Sequence, residues 1–451
     1  MKQNPVDQII SWIFSIYLGT APVFWFGNFA PGHVYLFKFM LVTVGVLIVV
    51  VHTSVRFKNF FLIGGLLGPL GMMLFMISAI PGVVQGTADS GMRWLLDSAL
   101  PFVFVWTFYN LGRSRHDCIQ IFWRGACIIT ILSFITIQSY FTGFPNWTAP
   151  MPHGGLAPSM VGFAYARTGW CNGVSLFYPI ALACIFWRAS QTPQGSPRFR
   201  FYFMATLMSM NILGTILLTG GRTGMLVGLF TVIVFASRIV NKWFGAMTLL
   251  VILSLGVTLS DKYEQHFKLH RLRSDTITMD NVSKFSSGRV DGYILGFELL
   301  LDRPLTGYGF GQVDLRRFGF EYQTIHNVWL KMACEAGIIY PVVFSMILYF
   351  ISMRLRRIRL YFPNEHEQAF LQNLSLVVPS AIIVAMFSPN AIFGSFQNSA
   401  IFWGIVGYLI ARVDRRGNEL HQQSTRAQAP QSPRQMPLMA ARSGLSETLP
   451  R

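Results

Sequence analysis

Apolar residues run along nearly the whole chain in blocks of about 20, the length that carries a helix across a bilayer. Twelve blocks predict spans at 9–27, 34–51, 60–80, 94–111, 119–141, 171–187, 201–219, 224–240, 243–259, 327–350, 370–388 and 391–411. The block at 171–187 is short, and the last carries Gln397 and Asn398. Polar stretches at 142–170 and 260–325 interrupt the series as two long loops. Within the second, Val290, Tyr293, Ile294, Phe297 and Leu301 recur at helical spacing, with Asp291, Glu298 and Asp302 on the other side. That pattern predicts a short amphipathic helix. Ser286 or Ser287 can cap it, and Arg303-Pro304 ends it, because the residue before a proline avoids helical angles. The glycine-punctuated turn Gly307-Tyr308-Gly309-Phe310-Gly311 follows, and His326 then opens the next span.

Composition agrees with the spans. Hydrophobic residues make up 52% of the chain and charged ones only 12%, too few to cover a soluble protein of 451 residues. The expected fold is all-α: a polytopic transmembrane bundle of about twelve spans, with short amphipathic helices in a long periplasmic loop. The catalytic region would be residues 1–411. The tail 412–451, rich in Gln, Pro, Ser and Arg, reads as a disordered cytoplasmic extension.

The formal charge of +17 invites a nucleic-acid reading, which its distribution removes. Loop 260–325 carries nine Lys/Arg against nine Asp/Glu. The excess sits in short loops on one side, such as Arg113/Arg115, Arg188/Arg198/Arg200 and Arg354/Arg356/Arg357/Arg359, and in the tail. By the positive-inside rule both termini are cytoplasmic and the two long loops periplasmic. The five cysteines form neither a CxxC pair nor a disulfide framework. No cleavable signal is expected, since the first apolar block lacks a small-residue cleavage site and reads as an anchor.

Four residues stand out as candidate chemistry. Arg222 lies in Gly220-Gly221-Arg222-Thr223-Gly224, a tight turn on the side where short loops avoid positive charge. Arginine there can simply snorkel to lipid headgroups, but flanking glycines also let backbone approach a ligand closely. Arg289 falls in the first turn of the amphipathic helix, where unpaired backbone N–H groups favour an anion. A surface ion pair with Asp291 is the plainer alternative. Arg167, in Arg167-Thr168-Gly169-Trp170, is either a third cation or a solvated loop residue. A histidine at a helix start, as at His326, is kept neutral by the helix dipole and can accept a proton. Lys331 and Glu335 are spaced as an intrahelical ion pair. The sequence holds no Walker loop, no HExxH, no Asp-x-Asp and no cluster of metal ligands, so a diphosphate site would rely on arginines. No cofactor and no metal are expected.

These segments together resemble the O-antigen ligase and polymerase superfamily. The resemblance rests on Gly-Gly-Arg222-Thr-Gly, Ser-Ser-Gly-Arg289, Arg303-Pro304-Leu305-Thr306-Gly307-Tyr308-Gly309, and His326-Asn327-Val328-Trp329-Leu330 leading to Glu335-Ala336-Gly337. The run Arg167, Gly169, Asn172 is similar to the family pattern too. It implies an inverting, metal-independent membrane glycosyltransferase of the bacterial inner membrane, working on the periplasmic side. Arg222 and Arg289 would hold the diphosphate of an undecaprenyl-linked glycan, with Arg167 as a further contact, and His326 would be the base. The acceptor would be lipid A-core for a ligase. For an O-antigen or exopolysaccharide polymerase it would be a second lipid-linked glycan. A lipid-linked sugar transporter is the alternative from another class; it would favour a repeat between the two halves, and none is visible.

Overall fold

The computed structural model describes residues 5–23, 31–52, 63–113, 118–145, 150–153, 156–160, 162–164, 167–193, 195–239, 289–320, 324–362, 365–388, 392 and 398–428. Helices dominate. The first two, α1 (Pro5–Gly19) and α2 (Pro31–His52), are followed by a 3-10 turn at Gly65–Leu67 and then α3 (Pro69–Ser78) and α4 (Ile80–Val84). The next are α5 (Ser90–Trp94), a π-helical turn at Leu95–Ala99, α6 (Leu100–Arg113) and α7 (Cys118–Thr142). After a two-stranded ribbon come α8 (Arg167–Ser190), α9 (Ser196–Thr219) and α10 (Arg222–Ile239). The chain continues with α11 (Arg289–Asp302), α12 (Val328–Ala336), α13 (Ile339–Arg356) and α14 (Ile358–Tyr361). It closes with α15 (Glu365–Leu374), α16 (Val377–Phe387) and α17 (Asn398–Gln428).

Five stretches are long and apolar enough to cross a membrane: 118–142, 168–190, 198–219, 339–361 and 366–387. That count covers the described residues, and the expected span 243–259 lies outside them. Several other expected spans are broken. The block 60–80 becomes the 3-10 turn and α3, divided at Gly68-Pro69. The block 327–350 divides at Gly337, whose φ of 87° suits glycine and ends α12 before α13 begins. The block 370–388, by contrast, matches the membrane-length stretch 366–387, made of α15 and α16 in succession. Each break keeps its apolar character, so hydropathy does not register it.

Within loop 142–170, β1 (Pro150–His153) pairs antiparallel with β2 (Leu156–Met160), Pro150 opposite Met160. The last helix does not stop near Arg416. It runs to Gln428, through residues expected to be disordered. Arg415 and Arg416 pair with Glu419 at 3.2 and 3.0 Å, one helical turn away, and Arg416 Nε donates to the Tyr361 carbonyl at 3.1 Å. Local pairs plus docking on α14 carry the helix past its apolar part. Residues 429–451 lie outside the described set.

Close packing between α6 and α17 depends on small residues. A Cβ at Gly407 would lie 2.4 Å from the Val105 carbonyl oxygen, and one at Gly404 would meet the Phe108 ring at 3.1 Å. Glycine is what lets two helices approach this closely. Phe102 then stacks on Trp403 with ring centroids 6.3 Å apart. At one end of the pair Asp414 accepts from Tyr109 at 3.1 Å and pairs with Arg354, tying α6, α13 and α17 together. At the centre of the bundle lies α8, whose span is 89% buried.

Candidate active site

Two of the arginine motifs meet through backbone. Gly220 ends α9 in the left-handed region, with φ 63°, so that Arg222 can start α10 at once. Cys171, in the second turn of α8, fills the space beside this corner. An added Cβ would come within 2.5 Å of its Sγ at Gly221 and within 2.3 Å at Gly224. Its thiol also donates to the Gly221 carbonyl at 3.4 Å. The glycines flanking Arg222 are therefore explained by the approach of α8, whose first residue is Arg167. The beginnings of α8 and α10 are held side by side, and Arg222 is half-buried there.

The second group assembles on α11 and α12. Gly292 and Gly296 face inward on α11, and the Cys334 thiol donates to the Gly296 carbonyl at 3.0 Å. A Cβ at Gly296 would lie 2.8 Å from Leu330, so the two helices touch where that glycine stands. The glycine turn after α11 is stitched into its neighbours. Tyr308 and Gly309 N–H donate to the carbonyls of Cys334 and Glu335 at 2.8 and 2.9 Å, and Phe310 N–H donates to Gly82 at 2.8 Å. Gly309 has φ 99°, and a Cβ there would lie 2.2 Å from the Gln85 carbonyl oxygen.

His326 stands just ahead of α12 rather than at the start of a span. The cap is Asn327, whose Oδ1 accepts from Leu330 N–H at 3.0 Å. Asn327 Nδ2 in turn donates to the Met386 carbonyl at 3.4 Å, and Tyr293 of α11 donates to the same oxygen at 3.4 Å. Thus the last turn of α16 joins the Arg289 helix to the residue beside His326. Along its length α16 also packs on α8 and α10, the helices of the first group.

Electrostatics place Arg289 within reach of both Tyr293 and His326. Burial pushes the Tyr293 hydroxyl pKa up, and the Arg289 charge pulls against it. Burial, and after it the Arg289 charge, together lower the His326 pKa from the ordinary 6.5 to about 4. The neutral imidazole expected from the sequence is therefore favoured for another reason: desolvation and a neighbouring guanidinium, not the helix dipole. The proposed caps Ser286 and Ser287 lie outside the described residues.

Sequence reasoning did not single out Tyr293 or Asn327 as partners of one carbonyl, because the acceptor is backbone from a distant helix. Glu335 does pair with Lys331 as expected, at 3.9 Å, and also accepts from Gly311 N–H at 3.5 Å. It is 6% exposed, and with Asp97, Lys331 and Tyr340 it lines a small pocket behind α12. Asp97 comes from the π-helical turn, whose Ser98 hydroxyl lies 3.1 Å from that of Tyr340. Among the described residues, no group of three or more His, Cys, Asp or Glu is placed to hold a metal ion.

The family model described as O-antigen ligase matches residues 207–344, from α9 to the first turns of α13. Over those residues the chain is similar to the O-antigen ligase superfamily. This O-antigen ligase segment contains Arg222, Arg289 and His326, whereas Arg167 lies ahead of it. No curated protein matches the chain. That match, together with the apolar membrane-length helices among the described residues, supports a membrane protein of ligase or polymerase type.

Proposed function

We propose that the protein is an inverting, metal-independent glycosyltransferase of the bacterial inner membrane, moving a glycan from undecaprenyl diphosphate to a hydroxyl of lipid A-core on the periplasmic side. The observation that carries this reading is His326, half-buried beside the Arg289 guanidinium, where its protonated form is disfavoured, in a segment of O-antigen ligase type. A neutral imidazole accepts the acceptor hydroxyl's proton as that oxygen attacks the anomeric carbon. The bond from that carbon to the diphosphate oxygen breaks, its electron pair leaving with the diphosphate on the opposite face. Arg289 and Arg222 hold the charge that develops there, with Arg167 as a further contact. A diphosphate so held leaves without a general acid, so electrostatic stabilisation and one base account for the catalysis.

The test is product analysis with purified protein, a lipid-linked glycan and each acceptor in turn. Glycan appearing on lipid A-core supports the ligase; glycan lengthening on the lipid diphosphate instead assigns a polymerase. Because arginines take the place of an Asp-x-Asp metal site, the rate is expected to survive EDTA unchanged. A requirement for added Mg²⁺ or Mn²⁺ would remove the arginines from that role.

The depressed histidine pKa sets the pH dependence. As pH falls below the ordinary value of about 6.5, an imidazole titrating near 4 still accepts protons. The acidic limb of kcat/KM is therefore expected near pH 4, lost only as pH drops through that value. Arg289→Gln, which removes the repelling charge, is expected to move the limb upward. A limb at the ordinary histidine value in the unaltered protein would show that His326 is not the titrating base.

A further inference from the structure

Along α11 the apolar spacing and the packed face do not coincide. The spacing puts Ile294, Phe297 and Leu301 on one apolar side, yet they are 45%, 58% and 78% exposed. The inward side is Gly292 and Gly296, with Tyr293, Leu295, Leu299 and Leu300 against Ile325, Leu330 and Cys334. The outward half of the helix is therefore divided lengthwise. At 100° per residue, Ile294, Phe297 and Leu301 fall within about 60° of one another. Asp291, Glu298 and Asp302, all exposed, occupy a neighbouring arc of about 40°. Leu305, 63% exposed, extends the apolar flank beyond the helix end.

Large apolar side chains left uncovered in a row mark a surface that something else covers. The chain's own continuation identifies it. Ile338 N–H donates to the Pro304 carbonyl at 2.8 Å, and a Cβ at Gly337 would lie 2.1 Å from the Leu305 carbonyl oxygen. From this junction Ile339, Val342, Met346, Tyr349 and Met353 run as one exposed stripe down α13, on a helix able to cross a membrane. Such a stripe faces acyl chains, and the flank of α11 joins it at Leu305. The polar groups at the junction suit a headgroup layer. Arg303 lies over the Tyr308 ring at 4.7 Å, and the Tyr308 hydroxyl donates to Asp302 at 2.6 Å.

We propose that α11 lies in the membrane–water interface, with Ile294, Phe297, Leu301 and Leu305 sunk among the acyl chains and Asp291, Glu298 and Asp302 facing water. A helix with an apolar flank beside a charged one is built to lie in a bilayer surface. Arg289 and the neighbouring His326 are thereby held at headgroup depth. This placement holds whatever reaction the site performs.

Nitroxide labels at Phe297→Cys, Leu301→Cys and Glu298→Cys test it. The full chain carries Cys127→Ser and is reconstituted in vesicles of phosphatidylethanolamine and phosphatidylglycerol; the remaining four native cysteines are buried. All three labelled positions are exposed, so the labels leave the packing intact. Oxygen concentrates among acyl chains, and a neutral nickel chelate stays in water. Collisions with oxygen are expected to exceed those with nickel several-fold at 297 and 301, and the ratio to invert at 298. Nickel-dominated collisions at all three positions would overturn the proposal. Protection from both reagents at 297 and 301 would overturn it too, since a protein surface such as a second copy would then cover the flank.

Discussion

His326→Ala is expected to bind the lipid-diphosphate donor and leave it unused, with turnover lower by roughly 10²–10⁴-fold. The separation of binding from turnover follows from where the residue stands. His326 precedes the cap of α12 and lies close to Arg289, which disfavours its protonated form. An imidazole kept neutral by burial offers a phosphate no charge, so the donor's hold depends on the arginines and survives the substitution. Folding survives as well, because Asn327 and not His326 caps α12 and contacts α16. Donor binding to purified protein and single-turnover transfer are measured independently. If binding disappears while transfer per bound donor is unchanged, His326 is a donor ligand and the base lies elsewhere.

How much of this was legible in the sequence differs from element to element. Membrane-length apolar blocks give the helices at 118–142 and 168–190 closely, because length and hydropathy together define them. The division at Gly337 is invisible to that measure: it is set by the Leu305 carbonyl, far away in sequence, which leaves no room for a side chain. The same holds for Gly221 and Gly224. They read as glycines for a ligand's approach, and the structure gives Cys171 as the neighbour that excludes a side chain. The helical tail to Gln428 was hidden by composition, since its support is the Tyr361 carbonyl and charge pairs at helical spacing. For α11 the periodicity identified the helix and its apolar residues correctly. It did not say that glycines would face the protein and leave those residues outside, because hydrophobic spacing does not distinguish a core from a bilayer. At His326 the sequence led to a neutral imidazole by way of the helix start; the burial and the Arg289 charge that favour it come from tertiary placement.

Arg289→Lys is expected to fail almost as badly as Arg289→Ala, each losing on the order of 10²–10³ in rate. A guanidinium is planar and presents its donors as a fork, so it can hold two phosphate oxygens at once, whereas an ammonium is a point charge. The position favours that use. Arg289 begins α11, where the first N–H groups have no carbonyl partner within the helix, and a neighbouring anion is stabilised by both. Lysine retains the charge beside His326, so the imidazole stays neutral and the acidic limb of the pH profile stays low. The lysine variant thus separates the two consequences of the residue: the histidine's protonation is kept and the two-oxygen grip is lost. The measurement is kcat and kcat/KM across pH for the lysine, alanine and glutamine variants. A low turnover with an unmoved limb in Arg289→Lys is the expected result. Near-normal turnover in the same variant would show that charge alone suffices at this position and that the fork geometry plays no part in the transition state.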